Sequence, residues 1–554
     1  MTAEARDDAA PLPDNSLTSF KAPARRWFAT VSELLRQAFS RRRQRTVPYE
    51  WFSEAEVGSL DAAGQVDDLT RVDDNTWRDL EVPALLERLG GRASLLGCQH
   101  LYRRLRRGGA VADEVRASLA PAKNAESSRL LEQTQAVRHE LRCQETDTVP
   151  ALFLGALPQV PSFARHVWMA PVALAISLVA AAQVGSWFLA VSAAIVYLII
   201  FGVTQIKLAE AASKFKTQRL AIMATLAAAR GFAIVGRKLP HSLLEPAVRL
   251  LPVTQRLQAA LSLNLLESVP QLLDTVNLLT LYDCLTLNGK VARLRSHLDS
   301  LCKVHETVAE CEASLCLLEA LRLQADEVCW ARDGGAATLR LTGMYNPLLA
   351  QPERLSIELD GKGAFITGEN GVGKSTFLRA IGLNILTARA FGYCHAEEAI
   401  VPRLPVWSSI QNEDSLARSE SLYMAELRRA ETLLKVSSQP TGAIFLIDEV
   451  FRGTNNLESV AAAAAVIHRL AGTSLVIVSS HNLVLAPLLS TRLDPMRIVR
   501  QTTLRLEPGV LAETNGIRMM DTYEFDDTIR ADAKRVFDWY STYVTKPANF
   551  PGLG

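Results

Sequence analysis

Between Val167 and Ile206 the chain contains no Asp, Glu, Lys or Arg. Elsewhere it has no surplus of either sign, with 60 Lys and Arg against 59 Asp and Glu. That balance excludes a global polycation, so nucleic acid could be held only by a local basic patch. The eight cysteines lack paired spacing. Cys311 and Cys316 are the closest two, and they fit neither a zinc pattern nor a redox CxxC. The composition therefore reads as reduced structural thiols in a cytosolic protein. The opening residues "MTAEARDDAAPLPDNS" lack an apolar core segment, so no secretory signal is expected. At 554 residues the chain has room for three or four domains.

What is present changes character along the chain. Residues 1–48 read as a flexible basic arm, beginning poor in apolar residues. Within it, Trp27, Phe28, Val31, Leu34, Leu35 and Phe39 recur at helical spacing among seven arginines. A basic amphipathic helix of this kind suits an anionic membrane surface, a phosphate ligand or its own protein. Residues 70–160 and 207–337 read as two helical segments. Pro252 and Pro270 are expected to interrupt the second part. "VPQLLDTVNLLTLYDCLTL" (269–287) is apolar but holds Asp274 and Asp283, which makes it a core helix rather than a third span. From 338 to 554, short apolar runs alternate with helical stretches, the pattern of a parallel sheet covered by helices.

The uncharged run is too long for one span. About 40 residues of helix would extend about 60 Å, twice the hydrocarbon thickness. A transmembrane hairpin over 167–206 fits better. Val167–Gln183 and Ser186–Thr204 form the legs, and "QVGSW" forms the turn with Gly185 as breaker. Trp168 and Trp187 fall near the predicted interfaces. Arg165 flanks one end, and Lys207, Lys214 and Lys216 the other, which predicts both flanks on the cytoplasmic side of the inner membrane. The alternative is a pair of helices buried in a large soluble core.

"GENGVGKS", Gly368 to Ser375, satisfies GxxxxGK[ST] between an apolar strand and a helix, which is the context a phosphate-binding P-loop requires. Gly368, Asn370, Gly371, Gly373 and Thr376 would shape a ring of inward N–H groups, aided by the following helix N-terminus. Lys374 would reach the β/γ-phosphates of ATP, and Ser375 would hold Mg²⁺. A second strand, "AIFLIDE", ends in Asp448 and Glu449, a Walker B pattern. Asp448 would join Ser375 on Mg²⁺, and Glu449 would orient or activate the attacking water. A third, "SLVIVSSH", ends at His481, the place of a γ-phosphate sensor. The three fall at intervals of about 75 and about 30 residues.

The residues around these motifs resemble the MutS family of ATPases. The family's loop, TGPNxGGKST, appears as "TGENGVGKST" from Thr367 to Thr376, shifted toward the general ABC-ATPase form. Its STFMxEM segment appears as "SLYMAEL", Ser421 to Leu427. Its LLDExGRGT appears as "LIDEVFRGTNN", with Phe451 in place of a glycine, and its Thr-His appears as Ser480-His481. Upstream, "RASLLGCQHLYRRL" and "HETVAECEASLCLLEAL" are similar to the family's helical core. "GMYNPLL" occupies the place of its His-Pro segment without the His. The resemblance implies a P-loop ABC-type ATPase domain in a homodimer, in which Ser421 of one subunit caps the γ-phosphate held by the other.

The whole chain is thus expected to be α plus α/β. A helical core carries a two-helix transmembrane hairpin and leads into a C-terminal ATPase with a mainly parallel sheet. The family's mismatch-reading domain has no counterpart in the roughly 70 residues before the helical core, and its DNA clamp is not evident. The run Arg92, Arg103, Arg104, Arg106 and Arg107 could contact phosphates or form a solvated helix face. Two functions are open. One is a membrane-anchored MutS-related ATPase acting on or near DNA. The other is a membrane-bound mechanochemical ATPase whose partner is a protein or the bilayer. A transporter is disfavoured, since two short spans with Gln183 as their notable polar residue cannot line a path.

Overall fold

The computed structural model describes residues 46–64, 70–108, 119, 124–262, 276–324, 327–335, 337–410, 422–449, 451, 455–511 and 526–544. Contacts divide the chain into two units, Met1–Thr46 and Val47–Gly554. The described helices and strands all lie in the second. The amphipathic stretch expected within 1–48 and Pro270 lie outside the described residues.

The first helices start where side chains can satisfy free N–H groups. In α1 (Glu54–Ala63) a capping box joins Ser53 and Glu56: Glu56 N donates to Ser53 Oγ at 3.3 Å, and Ser53 N to the Glu56 carboxylate at 2.9 Å. Asp73 caps α2 (Asp74–Asp79) by accepting from Thr76 N at 3.2 Å. Then come α3 (Val82–Gly90), α4 (Leu95–Arg107) and α5 (Ala125–Arg142). After α6 (Met169–Val184) and α7 (Trp187–Lys238) come α8 (Glu245–Leu261), α9 (Tyr282–Arg295) and α10 (Leu298–Leu323). On α10, Leu301, Val304, Val308, Cys311, Leu315 and Leu318 are buried at helical spacing, and the helix packs on α4, α7 and α8. Pro252 lies inside α8 instead of ending it. The buried Leu251, Thr254 and Leu257 beside it hold the helix through the lost hydrogen bond.

The uncharged run forms two antiparallel legs. Gly185, at φ 69°, closes α6 in the left-handed region that glycine enters without cost. The second leg does not stop at Thr204. It continues as the 52-residue α7, whose extent is about 78 Å. The reason is simple: Lys207 ends an uncharged run, but charge does not end a helix, and no proline occurs before Lys238. The first part of α7 exposes Trp187, Phe188, Ile195, Ile199 and Ile206, whereas further along Leu208, Phe215, Ile222, Leu226 and Phe232 are buried. Two helices here are long and apolar enough to cross a membrane, and only 11% of each apolar window is buried. Lys207 Nζ lies 5.8 Å from the Phe163 ring, so the charged bases of the two legs sit side by side.

The C-terminal part is α/β with a parallel-rich sheet. Its strands are β1 (Cys329–Trp330), β2 (Arg332–Asp333), β3 (Thr338–Met344), β4 (Leu355–Asp360), β5 (Gly363–Gly368), β6 (Tyr393–Cys394), β7 (Glu398–Val401), β8 (Val406–Ser409), β9 (Ile444–Asp448), β10 (Leu475–Ser479), β11 (Leu493–Arg500) and β12 (Leu504–Pro508). Helices α11 (Lys374–Phe391), α12 (Leu422–Ser437), α13 (Asn456–Leu470), α14 (Leu485–Leu489) and α15 (Asp527–Val544) accompany them. The main sheet runs β12-β11-β5-β10-β9-β8, parallel except for β12. Strands β5, β9 and β10 are buried at every residue, as continuous apolar runs covered on both faces should be. A second sheet, β2-β7-β3-β4, and the β1-β6 pair complete the region.

Candidate functional site

Register brings the motif residues together. Ser479 at the end of β10 is paired with Asp448 of β9 on one side and Ile366 of β5 on the other. The carboxyl ends of these three strands therefore meet, which is where open α/β sheets bind ligands. The loop after β5 turns through Gly371 (φ 75°) and Gly373 (φ 102°). A Cβ at Gly373 would meet nothing within 4 Å, so backbone conformation, not space, demands glycine there. Asn370 is exposed on the loop. From Gly373 the chain enters α11, whose first N–H groups have no partner within the helix and no side-chain cap.

Lys374 is buried, and its Nζ donates to the carbonyl oxygens of Gly368 and Glu369 at 3.0 and 3.1 Å. Burial lowers its pKa from the ordinary lysine value, and nearby Asp448 partly opposes that shift. Asp448 accepts from Ser375 Oγ through one carboxylate oxygen and from Ser479 Oγ through the other. A hydroxyl beside a buried carboxylate is the hard-oxygen donor set that suits Mg²⁺. Glu449 has φ 52°, and its N donates to Ser479 O at 3.0 Å. Its Oε1 lies 2.8 Å from His481 Nε2. Burial, with the Lys374 ammonium adding to it, lowers the His481 pKa, so a neutral ring donates to the Glu449 carboxylate at neutral pH.

Residues 364–533 match the MutS domain V family model. Relatives similar over this part include the DNA mismatch repair protein MutS of Chloroflexus aurantiacus, 33% identical over 186 residues. That stretch is 31% of this chain and 18% of the relative. The protein of the same name from Thermus aquaticus is 37% identical over 115 residues, 21% of this chain and 14% of its own. The one from Treponema denticola is 32% identical over 200 residues, 32% of this chain and 22% of its own. The chain thus spans less than a quarter of the length of these relatives. The matches support MutS-family membership through the C-terminal third.

Within the domain V match, the structure gathers Gly368, Lys374, Ser375, Asp448, Glu449 and His481 around one point. Gly371, Gly373 and Thr376 line an adjoining cavity of about 240 Å³ together with Met344, Asn346 and Leu349. Arg500, also on its wall, makes a two-pronged ion pair with Glu353 at 2.8 and 3.2 Å. Ser421 lies outside the described residues. Phe451 has φ 62°, rare for a bulky residue, and is held there by full burial and an edge contact with Tyr423 at 6.1 Å.

Sequence reasoning missed Ser479, although its place directly before Ser480-His481 was a usable signal. It also missed a buried junction spanning the chain. Arg429 of α12 donates to Asp73 at 2.6 Å and to Ser408 O at 2.8 Å. Asp79 accepts from Ser408 Oγ at 2.6 Å and Ile410 N at 2.9 Å, and its own carbonyl accepts from Arg379 of α11 at 2.9 Å. Burial alone would raise the Asp73 pKa, but the Arg429 guanidinium outweighs it and holds the carboxyl below its ordinary value.

The five arginines considered for phosphate contact are engaged internally. Arg92 pairs with Glu319 at 3.0 Å, Arg103 with Glu306 at 2.9 Å and Arg104 with Glu310 at 3.3 Å. Arg106 pairs with Asp74 at 2.8 Å and Arg107 with Asp61 at 2.6 Å. They bind the helical core to itself.

Proposed function

We propose that the chain is a MutS-related, Mg²⁺-dependent ATPase, anchored by the hairpin in the cytoplasmic membrane with its ATPase part facing the cytoplasm. The observation that carries this reading is the convergence of Lys374, Ser375, Asp448, Glu449 and His481 at three strand ends inside the domain V match. The glycine-rich loop is then a P-loop, and the neighbouring cavity has room for the base.

The donor set fits the ion. Mg²⁺ held by Ser375 and Asp448 would neutralise phosphate charge. Ser479 keeps the Asp448 carboxylate oriented through its second oxygen. Lys374 exchanges two loop carbonyls for phosphate oxygens, a stronger charge-assisted bond. Glu449 Oε1 takes a proton from, or orients, the attacking water, and neutral His481 fixes that carboxylate by donation from Nε2. By the resemblance, Ser421 completes the site in a homodimer, and closure is passed to the helices through the Arg429–Asp73 junction.

The test is ATP turnover by the full chain in detergent. Glu449→Gln lowers turnover about 10²- to 10⁴-fold while ATP affinity is retained, and Lys374→Ala abolishes tight binding. Full turnover by the first variant, or unchanged affinity in the second, rejects the reading.

The relatives' names bring a mismatch-repair-like role on DNA to this chain as the first reading of its biology. The internal pairing of the five arginines favours the second, a protein or bilayer partner without DNA. Duplex binding that weakens steeply with salt supports DNA, and no binding at low salt removes it.

A further inference from the structure

The stretch 269–287 reads in sequence as a core helix, and Leu281, Cys284 and Leu287 are buried as that reading expects, but one turn before them is not. Leu278 and Leu279 are 44% and 60% exposed. They lie beside the second uncharged leg. Tyr197 Oη donates to the Leu278 carbonyl at 2.8 Å, and Tyr197 is ten residues from both Trp187 and Lys207, the ends of the uncharged leg. That places the contact about 15 Å from either end.

The backbone here breaks, and each break is satisfied locally. Leu281 takes φ 55° and separates a helical turn at 276–280 from α9. The Leu278 carbonyl, in the last turn before that break, accepts from Tyr197. Asn277 Oδ1 accepts from Asp283 N at 3.0 Å, and Thr280 Oγ1 donates to Val276 O at 2.7 Å. From Val276 to Tyr282 there is no charged residue. A broken helix whose polar groups are satisfied by protein, with leucines outward beside an uncharged span, is the form that irregular backbone takes within hydrocarbon.

We propose that the turn 276–280 belongs to the membrane unit, with Leu278 and Leu279 against lipid acyl chains near mid-bilayer. This rests on the membrane reading of the hairpin. It makes the anchor more than a tether, because this turn leads through α9 to α10, the long helix that precedes the ATPase sheets.

The experiment places a photoreactive benzophenone amino acid at Leu279, at Ile199 in the hairpin, or at Leu323, which is exposed at the end of α10. Thr280, exposed on the same turn, is the second position should the Leu279 variant not fold. Full-length protein is reconstituted in phosphatidylethanolamine–phosphatidylglycerol vesicles, irradiated and analysed by mass spectrometry. Lipid adducts at 279 comparable to those at 199, with none at 323, support the proposal. Adducts at 199 but not at 279 or 280, or crosslinks from 279 to a second copy, overturn it and leave the hairpin reading standing. No lipid adduct at 199 overturns both.

Discussion

Strand β10 and the hairpin legs are written in the same alphabet and end in opposite places. "LVIVS" is buried at all five positions, whereas each apolar window of the legs is only 11% buried. An apolar run states that it leaves water. It does not state whether protein or lipid receives it. Exposure separates the cases here: the strand is sheathed on both faces, while the legs, of 16 residues or more, are left largely uncovered by the body.

Charge is the sharpest way to break this comparison. Val478→Asp, at 1% exposure between β5 and β9, buries an unpaired carboxylate and costs on the order of 5 kcal/mol or more, comparable to the whole stability of a domain. The expected result is loss of folded protein, seen by thermal melting in detergent. Ile199→Asp, at 60% exposure, leaves that melting curve unchanged but costs about 3 kcal/mol of membrane insertion, read by fractionation. Equal damage to the fold from both variants would mean the legs are packed inside protein after all.

A smaller effect tests the polar junction beneath the sheet. Because the folded-state pKa of Asp73 is held below the ordinary aspartate value of 3.8, the unfolded chain takes up the proton more readily. The stability this carboxylate contributes is therefore complete above about pH 4 and is lost as pH falls through the depressed folded value. Asp73→Asn costs about 2 kcal/mol at neutral pH and flattens the acid limb of stability, measured by urea unfolding at several pH values. An unchanged acid limb would place the acid sensitivity elsewhere.

Much of the site was legible because its parts are local. A loop with glycines at fixed offsets, a strand ending in Asp448-Glu449 and a strand ending at His481 each carry their own punctuation. Phe451 also stood out against the family pattern, and the structure gives the reason: its backbone occupies the left-handed region that a glycine would enter freely. Pairings across distance were not legible. Arg429 finds Asp73 across 356 positions of sequence, and each of the five arginines that looked like a phosphate patch finds an acid on another element. The exposed turn at Leu278 was hidden for the same reason, since only its contact with Tyr197 places it beside the hairpin.

Sequence alone determined the chemistry on offer and the segments that must avoid water. Residue type fixes acidity, donor count and hydrophobicity, and short-range spacing fixes the turn or strand that presents them. Tertiary structure decided which charges neutralise one another, which hydroxyl steadies Asp448 and which apolar runs are covered. Those outcomes depend on neighbours brought close by the strand order β12-β11-β5-β10-β9-β8 and by helix packing, and proximity in space is not written in proximity along the chain.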